Sequence, residues 1–150
     1  MQKNRILIAL TLAVLSSASL PAESNQGTVI TNLIEKAKKN ENWKTAVVTG
    51  EQEQIVFMSV SPRTNPTNEI GDETHAFDQA ILIVEGQGQC VLNGKASKIK
   101  SGDLIFIPKG TLHNVMNSEK DKALKIISFY SATDIPNGST YQTKADQPQD

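Results

Sequence analysis

This chain has one cysteine, two histidines and only 5% aromatic residues among its 150 positions. The lone thiol, Cys90, excludes an internal disulfide, so stability must come from packing. It lies in "GQCVLNG", with no Lys, Arg or His within three residues to favour the thiolate. The expectation is a buried, inert thiol that packs as a small hydrophobe. An excess of either charge is also missing, with 15 Lys+Arg against 16 Asp+Glu. That balance argues against a nucleic-acid surface or an anionic-membrane surface. The apolar block "ILIALTLAVL" (Ile6 to Leu15) falls well short of the roughly 20 residues a bilayer-spanning helix takes.

That block has a different reading. Lys3 and Arg5 precede it, and the small residues of "SSASLPAES" follow it. Positive start, apolar middle and small-residue end make the pattern of a secretory signal peptide. Cleavage after Ala18 or after Ala22 fits the small-residue rule. The expected division is a signal peptide over 1–22 and a single domain over 23–150, in the periplasm or secreted. The segment takes two basic residues with it and no acidic ones, which leaves 13 Lys+Arg against 16 Asp+Glu, a net charge near −3. A domain of this length is long enough to bury a real core.

"TVITNLIEKAKKNENW" (Thr28 to Trp43) places Ile30, Leu33, Ile34 and Ala37 at helical spacing. One short amphipathic helix is predicted there, capped by Thr28 or Asn25, with a packing role. After Trp43 the period changes. "TAVVTG", "QIVFMSVS", "AILIVEG", "QCVLNG", "ASKIK", "DLIFIP", "LHNVMN" and "LKIISFYS" are short runs rich in β-branched residues. Each is bounded by Gly, Pro, Asn or Asp, and Asn93-Gly94 signals a tight hairpin. Strands at this spacing with no helix between them predict an all-β sandwich or barrel. The tail after Asp134 is polar, and its end is expected to be loose. Asn137-Gly138-Ser139 matches a glycosylation sequon, which carries no weight in this reading.

Both histidines sit in patterned stretches. In "GDLIFIPKGTLHNVMN", five residues separate Gly102 from Pro108, one separates Pro108 from Gly110, two separate Gly110 from His113, and three separate His113 from Asn117. Alternation puts His113, Val115 and Asn117 on one strand face. This spacing resembles the second sequence motif of the cupin family at every anchor. "GDETHAFDQAILIVEGQG" resembles the first motif with two changes. Glu73 stands where that motif has its first histidine, His75 stands at the second, and Gln79 replaces the glutamate seven residues before Gly86. "NENWKTAVVTGEQEQIVFMSVSP", the "DQ" pair after His75 and the ending "STYQTKAD" look like a subgroup of small single-domain cupins. That subgroup more often has a histidine near Tyr141, and this chain has none.

The resemblance implies an all-β double-stranded β-helix, a jelly-roll-like barrel with a short N-terminal helix. It implies a metal site of Glu73, His75, Gln79 and His113. Glu73 and His75 would lie on one strand facing inward, with His113 arriving from the opposite strand pair. Gln79 would begin an inward row with Ile81 and Ile83, while Asp78 faces outward or orients a neighbouring strand. Glu73 and Gln79 have bland readings too, as a solvated strand-end carboxylate and a structural amide. Lys109 and Asn114 would rim the pocket or serve as ordinary loop residues.

Two imidazoles with oxygen ligands and no thiolate suit a divalent transition metal: iron, manganese, nickel, cobalt or zinc. Magnesium and calcium, which prefer oxygen, fit less well. Gly86-x-Gly88 opens no helix, so it is not a nucleotide loop, and no serine sits in a nucleophile context. The expected function is a metal-dependent enzyme on a small polar molecule such as a sugar or keto acid, of isomerase, lyase or dioxygenase type. The competing reading is a non-catalytic module that binds a small ligand or metal. Homodimerisation is the family expectation, and exposed barrel edges give it a physical motive.

Overall fold

The computed structural model describes residues 27–148, which leaves the basic start, the apolar block, both cleavage positions and Asn25 outside the described residues. All eight predicted runs form strands: β1 (Lys44–Thr49), β2 (Gln54–Val60), β3 (Gln79–Glu85), β4 (Gln87–Leu92), β5 (Lys95–Lys100), β6 (Leu104–Ile107), β7 (His113–Asn117) and β8 (Leu124–Tyr130). A ninth, β9 (Thr140–Tyr141), was not expected. One sheet has the order β6-β3-β8-β2-β1-β9, and a second has the order β5-β4-β7. Every pairing between named strands is antiparallel. The double-stranded β-helix reading is consistent with this arrangement. Among the described residues no helix is long and apolar enough to cross a membrane.

Local chemistry explains the turns. Asn93 and Gly94 have φ of 47° and 81°, the left-handed pair that a two-residue hairpin between β4 and β5 requires. Gly88, inside β4, has a different reason. A Cβ at that position would collide with the Met116 carbonyl oxygen of β7, so only glycine lets the two backbones approach.

The main core lies between the sheets and includes Met58, Ile81, Ile83, Ile107, Val115 and Ile126. Cys90 belongs to it, as expected. Asn117 shows why a polar residue can sit there. Its amide nitrogen lies 3.1, 2.9 and 2.8 Å from the carbonyls of Val60, Ser61 and Lys122, and its oxygen accepts from Glu119 N–H at 2.8 Å. Its hydrogen-bonding capacity is spent inside the protein, which removes the cost of burying it.

The helix is shorter than the sequence predicted. α1 covers Leu33–Lys39, and its N-cap is Asn32, with φ of 56° and no side-chain cap bond. The left-handed turn at Asn32 stops the helix from extending back to Thr28, despite favourable spacing. α1 packs Leu33 and Ala37 on the outer face of the large sheet against Phe57, Val84 and Ile127. Buried Lys125 holds its far end, donating to Asn40 O at 2.6 Å, Glu41 Oε1 at 3.1 Å and Ser59 Oγ at 3.1 Å.

The polar tail is largely described, and its last two residues lie outside the described residues. Up to Gln147 it is docked. β9 pairs with β1, setting Tyr141 opposite Lys44, and Trp43 Nε1 donates to Gln147 Oε1 at 3.0 Å. The aromatic anchors Trp43 and Tyr141 are what a purely polar reading of the tail overlooked.

Candidate metal centre

β7 starts with His113, and the turn before it sets that ring. Gly110, with φ of 80°, donates its N–H to His75 O at 2.8 Å. The motif glycine therefore ties the two histidine segments together through backbone. Thr111 O lies 2.9 Å from His113 Nδ1. A carbonyl can only accept, so Nδ1 carries the proton, and deprotonation of the ring would leave the lone pair on Nε2. That Nε2 is buried and has no hydrogen-bond partner.

Glu73 meets His113 through a reciprocal pair of backbone bonds, both 2.9 Å. This pairing is an isolated bridge, and His75 follows outside any strand. The expected inward strand carrying Glu73 and His75 is thus reduced to a single bridged residue. His113 is also a direct neighbour of Glu73 along the small sheet, not a visitor from an opposite strand pair. The reason lies in "IGDETHAF": Gly71 takes φ of 97°, and Asn114 holds the segment from outside it. Asn114 accepts from Gly71 N–H at 3.0 Å and donates to Glu69 Oε2 at 2.9 Å. Backbone bonds from Ile70 N–H to Val115 O at 2.9 Å and from Asn117 N–H to Asn68 O at 2.8 Å pair the segment with β7 before Gly71, and the Asn114 tethers span the break.

Donor atoms from Glu73, His75 and His113 lie within 4.8 Å of one another. Glu73 Oε2 is 3.3 Å from His75 Nε2, and Glu73 Oε1 is 3.8 Å from Lys44 Nζ. The imidazole rings are 5.2 Å apart between centroids and tilted by 52°. Burial pushes the Glu73 carboxyl up. The His75 ring, the Lys44 ammonium and the His113 ring outweigh that, and the acid is held below its ordinary value.

Gln79 begins β3 on the inner face with Ile81 and Ile83, as expected from alternation. Its Nε2 donates to Ser128 Oγ at 2.7 Å. Its Oε1 is buried without a partner, as are His75 Nε2 and His113 Nε2. His75 Nε2, though without a hydrogen bond, stands 3.3 Å from the Glu73 carboxylate, whereas Gln79 Oε1 and His113 Nε2 have no polar partner, and buried polar atoms are nearly always satisfied. Two imidazoles and one carboxylate are also a donor set suited to a transition metal, and the group fits.

Asp78 faces away and latches the Pro108-Lys109-Gly110 turn, its Oδ1 accepting from Lys109 N–H at 2.8 Å. Lys109 itself is exposed, and Asn114 is a tether; neither carries chemistry here.

Two residues at the cluster were not singled out from sequence. Lys44 is buried on the inner face of β1 with Ala46. Tyr130 ends β8, its ring 5.9 Å from His75 and 5.4 Å from Phe77, which stacks on His75 at 4.8 Å. Burial raises the Tyr130 phenol well above its ordinary value; the Glu73 and Asp134 charges add to this, and the Ser128 hydroxyl opposes it. The phenol is a donor, not an acid. A lysine at a strand start reads as solvated, and an aromatic at a strand end reads as core. Only parity with Ala46 pointed to Lys44.

A family model described as the cupin domain matches residues 63–130. Protein L612 of Acanthamoeba polyphaga mimivirus is 34% identical over 120 residues, 77% of this chain and 72% of that one. YrkC of Bacillus subtilis is 32% identical over 125 residues, 78% of this chain but only 64% of its own length, so this chain spans less than two thirds of that relative. Among solved structures, BH2720 from Bacillus halodurans aligns with a TM-score of 0.75 at 27% identity, over 83% of this chain and 96% of that one. The cupin domain of Cnp3 from Schizosaccharomyces pombe aligns with a TM-score of 0.54 at 12% identity, over 59% of this chain and 63% of that one, a likeness of fold alone.

Proposed function

This chain belongs to the cupin family, and from that premise we propose that its barrel holds one divalent transition metal on Glu73, His75, Gln79 and His113 and acts there on a small polar molecule. The carrying observation is the convergence of donor atoms of Glu73, His75 and His113 within 4.8 Å, with His113 Nε2 buried and without a partner. Iron, manganese, nickel, cobalt and zinc all suit these ligands. When bound, such an ion supplies Lewis acidity toward a carbonyl or an enediol.

The protein's own residues do the rest. The Thr111 carbonyl fixes the His113 tautomer, which leaves Nε2 free to ligate. Ser128 orients the Gln79 amide so that its oxygen is the free end. Tyr130 keeps its proton at neutral pH and offers an O–H beside the cluster. Phe77 stacks on His75 and limits how far that ring can swing. Sugar or keto-acid isomerisation, cleavage and dioxygenation are the reaction types this reading covers.

Non-catalytic binding is the second reading. One observation favours it: Glu73 is the only carboxylate in the donor cluster, so a ligand role leaves no separate general base within it. The order of basic start, apolar block and small residues supports export to the periplasm or beyond. A homodimer is supported by the exposed Leu104 and Phe106 on edge strand β6, at 63% and 60% exposure. The acidic balance supports partners other than nucleic acid or membrane.

Elemental analysis of protein purified from its exported form tests the metal. Near-stoichiometric iron, manganese, nickel, cobalt or zinc, lost in His113→Ala, supports the reading; metal-free protein under every loading condition sinks it. Turnover across sugars and keto acids then separates enzyme from binding module. The mass of the mature N-terminus tests export, and sedimentation tests the dimer.

A further inference from the structure

Lys44 has no part in the metal reading, yet its position is expensive. It is 1% exposed, among the largest fully buried side chains. Its register partner on β2 is Met58, a core residue, and its neighbour two along β1 is Ala46. Burying an ammonium costs several kcal/mol unless it is well paired. The pairing observed is loose. Nζ stands 3.8 Å from Glu73 Oε1, beyond hydrogen-bond length, and 6.0 Å from the centre of the Trp43 ring. Glu73 turns its other oxygen, Oε2, toward His75. One carboxylate is shared between the buried lysine and the donor cluster.

The charge balance then decides what else fits. Without an ion, Lys44 and Glu73 offset each other. A divalent ion adds two positive charges, and the imidazoles and the Gln79 amide bring none. Three positive charges then face a single carboxylate inside a low-dielectric cage. Asp134 is the other acid close enough to affect Tyr130, and it is exposed to water. A neutral ligand would leave this excess in place, while an anion would relieve it.

Resting on the metal reading above, we propose that Lys44 is a ligand-binding residue that makes the site selective for small carboxylates of the 2-oxo-acid or 2-hydroxy-acid type. The ammonium takes the carboxylate as a point charge with three donors. It lies next to Glu73 and so within a small molecule's reach of the cluster. An oxygen adjacent to the carboxylate is what a ligand needs to face both at once. Neutral sugars lack the first of these groups. The Tyr130 ring stands 5.9 Å from that of His75.

The test separates this proposal from the reading beneath it. Metal content is measured first. Metal-free wild-type protein overturns the metal reading and the proposal with it. Titration calorimetry on the metal-loaded protein then compares pyruvate and lactate with pyruvamide and lactamide, which keep the shape and lose the charge. The expected result is that at least one acid binds ten-fold or more tighter than its amide. In Lys44→Met that preference disappears while the metal content stays at that of wild type. Metal-loaded wild-type protein that binds no acid, or binds acid and amide alike, overturns the proposal and leaves the metal reading standing. If Lys44→Met does not fold, Lys44→Gln carries the same comparison. A Lys44→Met protein that keeps the preference shows that the lysine serves Glu73 alone, and also overturns it.

Discussion

Filling the donor cluster should stabilise the fold by an amount that can be worked out in advance. In the metal-free protein, His75 Nε2, Gln79 Oε1 and His113 Nε2 are buried without partners. An unsatisfied buried atom carries a desolvation cost of about 1–3 kcal/mol, and an ion held by Glu73, His75 and His113 relieves it at His113 Nε2. The unfolded chain competes poorly for the ion, because it has two histidines and one cysteine. An ion that binds only the folded state, at 100 times its dissociation constant, adds about 2.7 kcal/mol. For a domain of this size, 1 kcal/mol moves the melting temperature by about 3–5 °C. The expected rise is therefore roughly 8–13 °C.

Differential scanning calorimetry on chelator-stripped protein, with Mn, Co, Ni, Zn or anaerobic Fe added, measures this rise. Magnesium and calcium are the controls and should do much less. His75→Phe keeps the stack on Phe77 and removes one unpaired nitrogen. Its metal-free melting temperature should stay within a few degrees of wild type, and its response to metal should be nearly flat. A wild-type protein that is folded yet unmoved by all five ions refutes the reasoning. So does a His75→Phe protein with the full wild-type rise.

The Glu73 carboxyl, held below its ordinary value in the folded protein, gives a defined acid limb. Its folded value is lower than its unfolded one, so its contribution is present above about pH 4.5 and is lost as pH falls through the folded value. Urea titrations of metal-free protein between pH 3 and 6 should therefore show a loss that is smaller in Glu73→Gln. Gly88→Ala should cost about 1–3 kcal/mol or more, because the new Cβ meets the Met116 carbonyl oxygen and β4 must move from β7; a denaturation midpoint equal to wild type refutes the close approach. Burial raises the Cys90 thiol above its ordinary value, so a disulfide reagent should modify it slowly in the native protein and quickly in denaturant; fast modification of the native protein places it at the surface.

Much of this protein was legible in order of residues alone. Eight strands follow from β-branched runs closed by Gly, Pro, Asn and Asp, because turn chemistry and alternation are local. The same locality made His113, Val115 and Asn117 share a face, and set Gln79 in line with Ile81 and Ile83. Motif spacing carried the family, and with it the expectation that two distant histidines meet.

Tertiary structure decided the rest. The family resemblance implied a strand through Glu73 and His75, but the pairing with β7 breaks at Gly71, where Asn114 spans the gap, and resumes only at Glu73, a break that no periodicity records. The tail is polar by composition, yet Trp43 and Tyr141 dock it, and docking depends on what lies across the sheet. Lys44 shows the limit most clearly. Its identity says solvent, and only closure of the barrel turns it inward, 3.8 Å from Glu73. A sequence specifies which side chains alternate together, but which of them end up enclosed, and beside which charge, is fixed only when the sheets close over them.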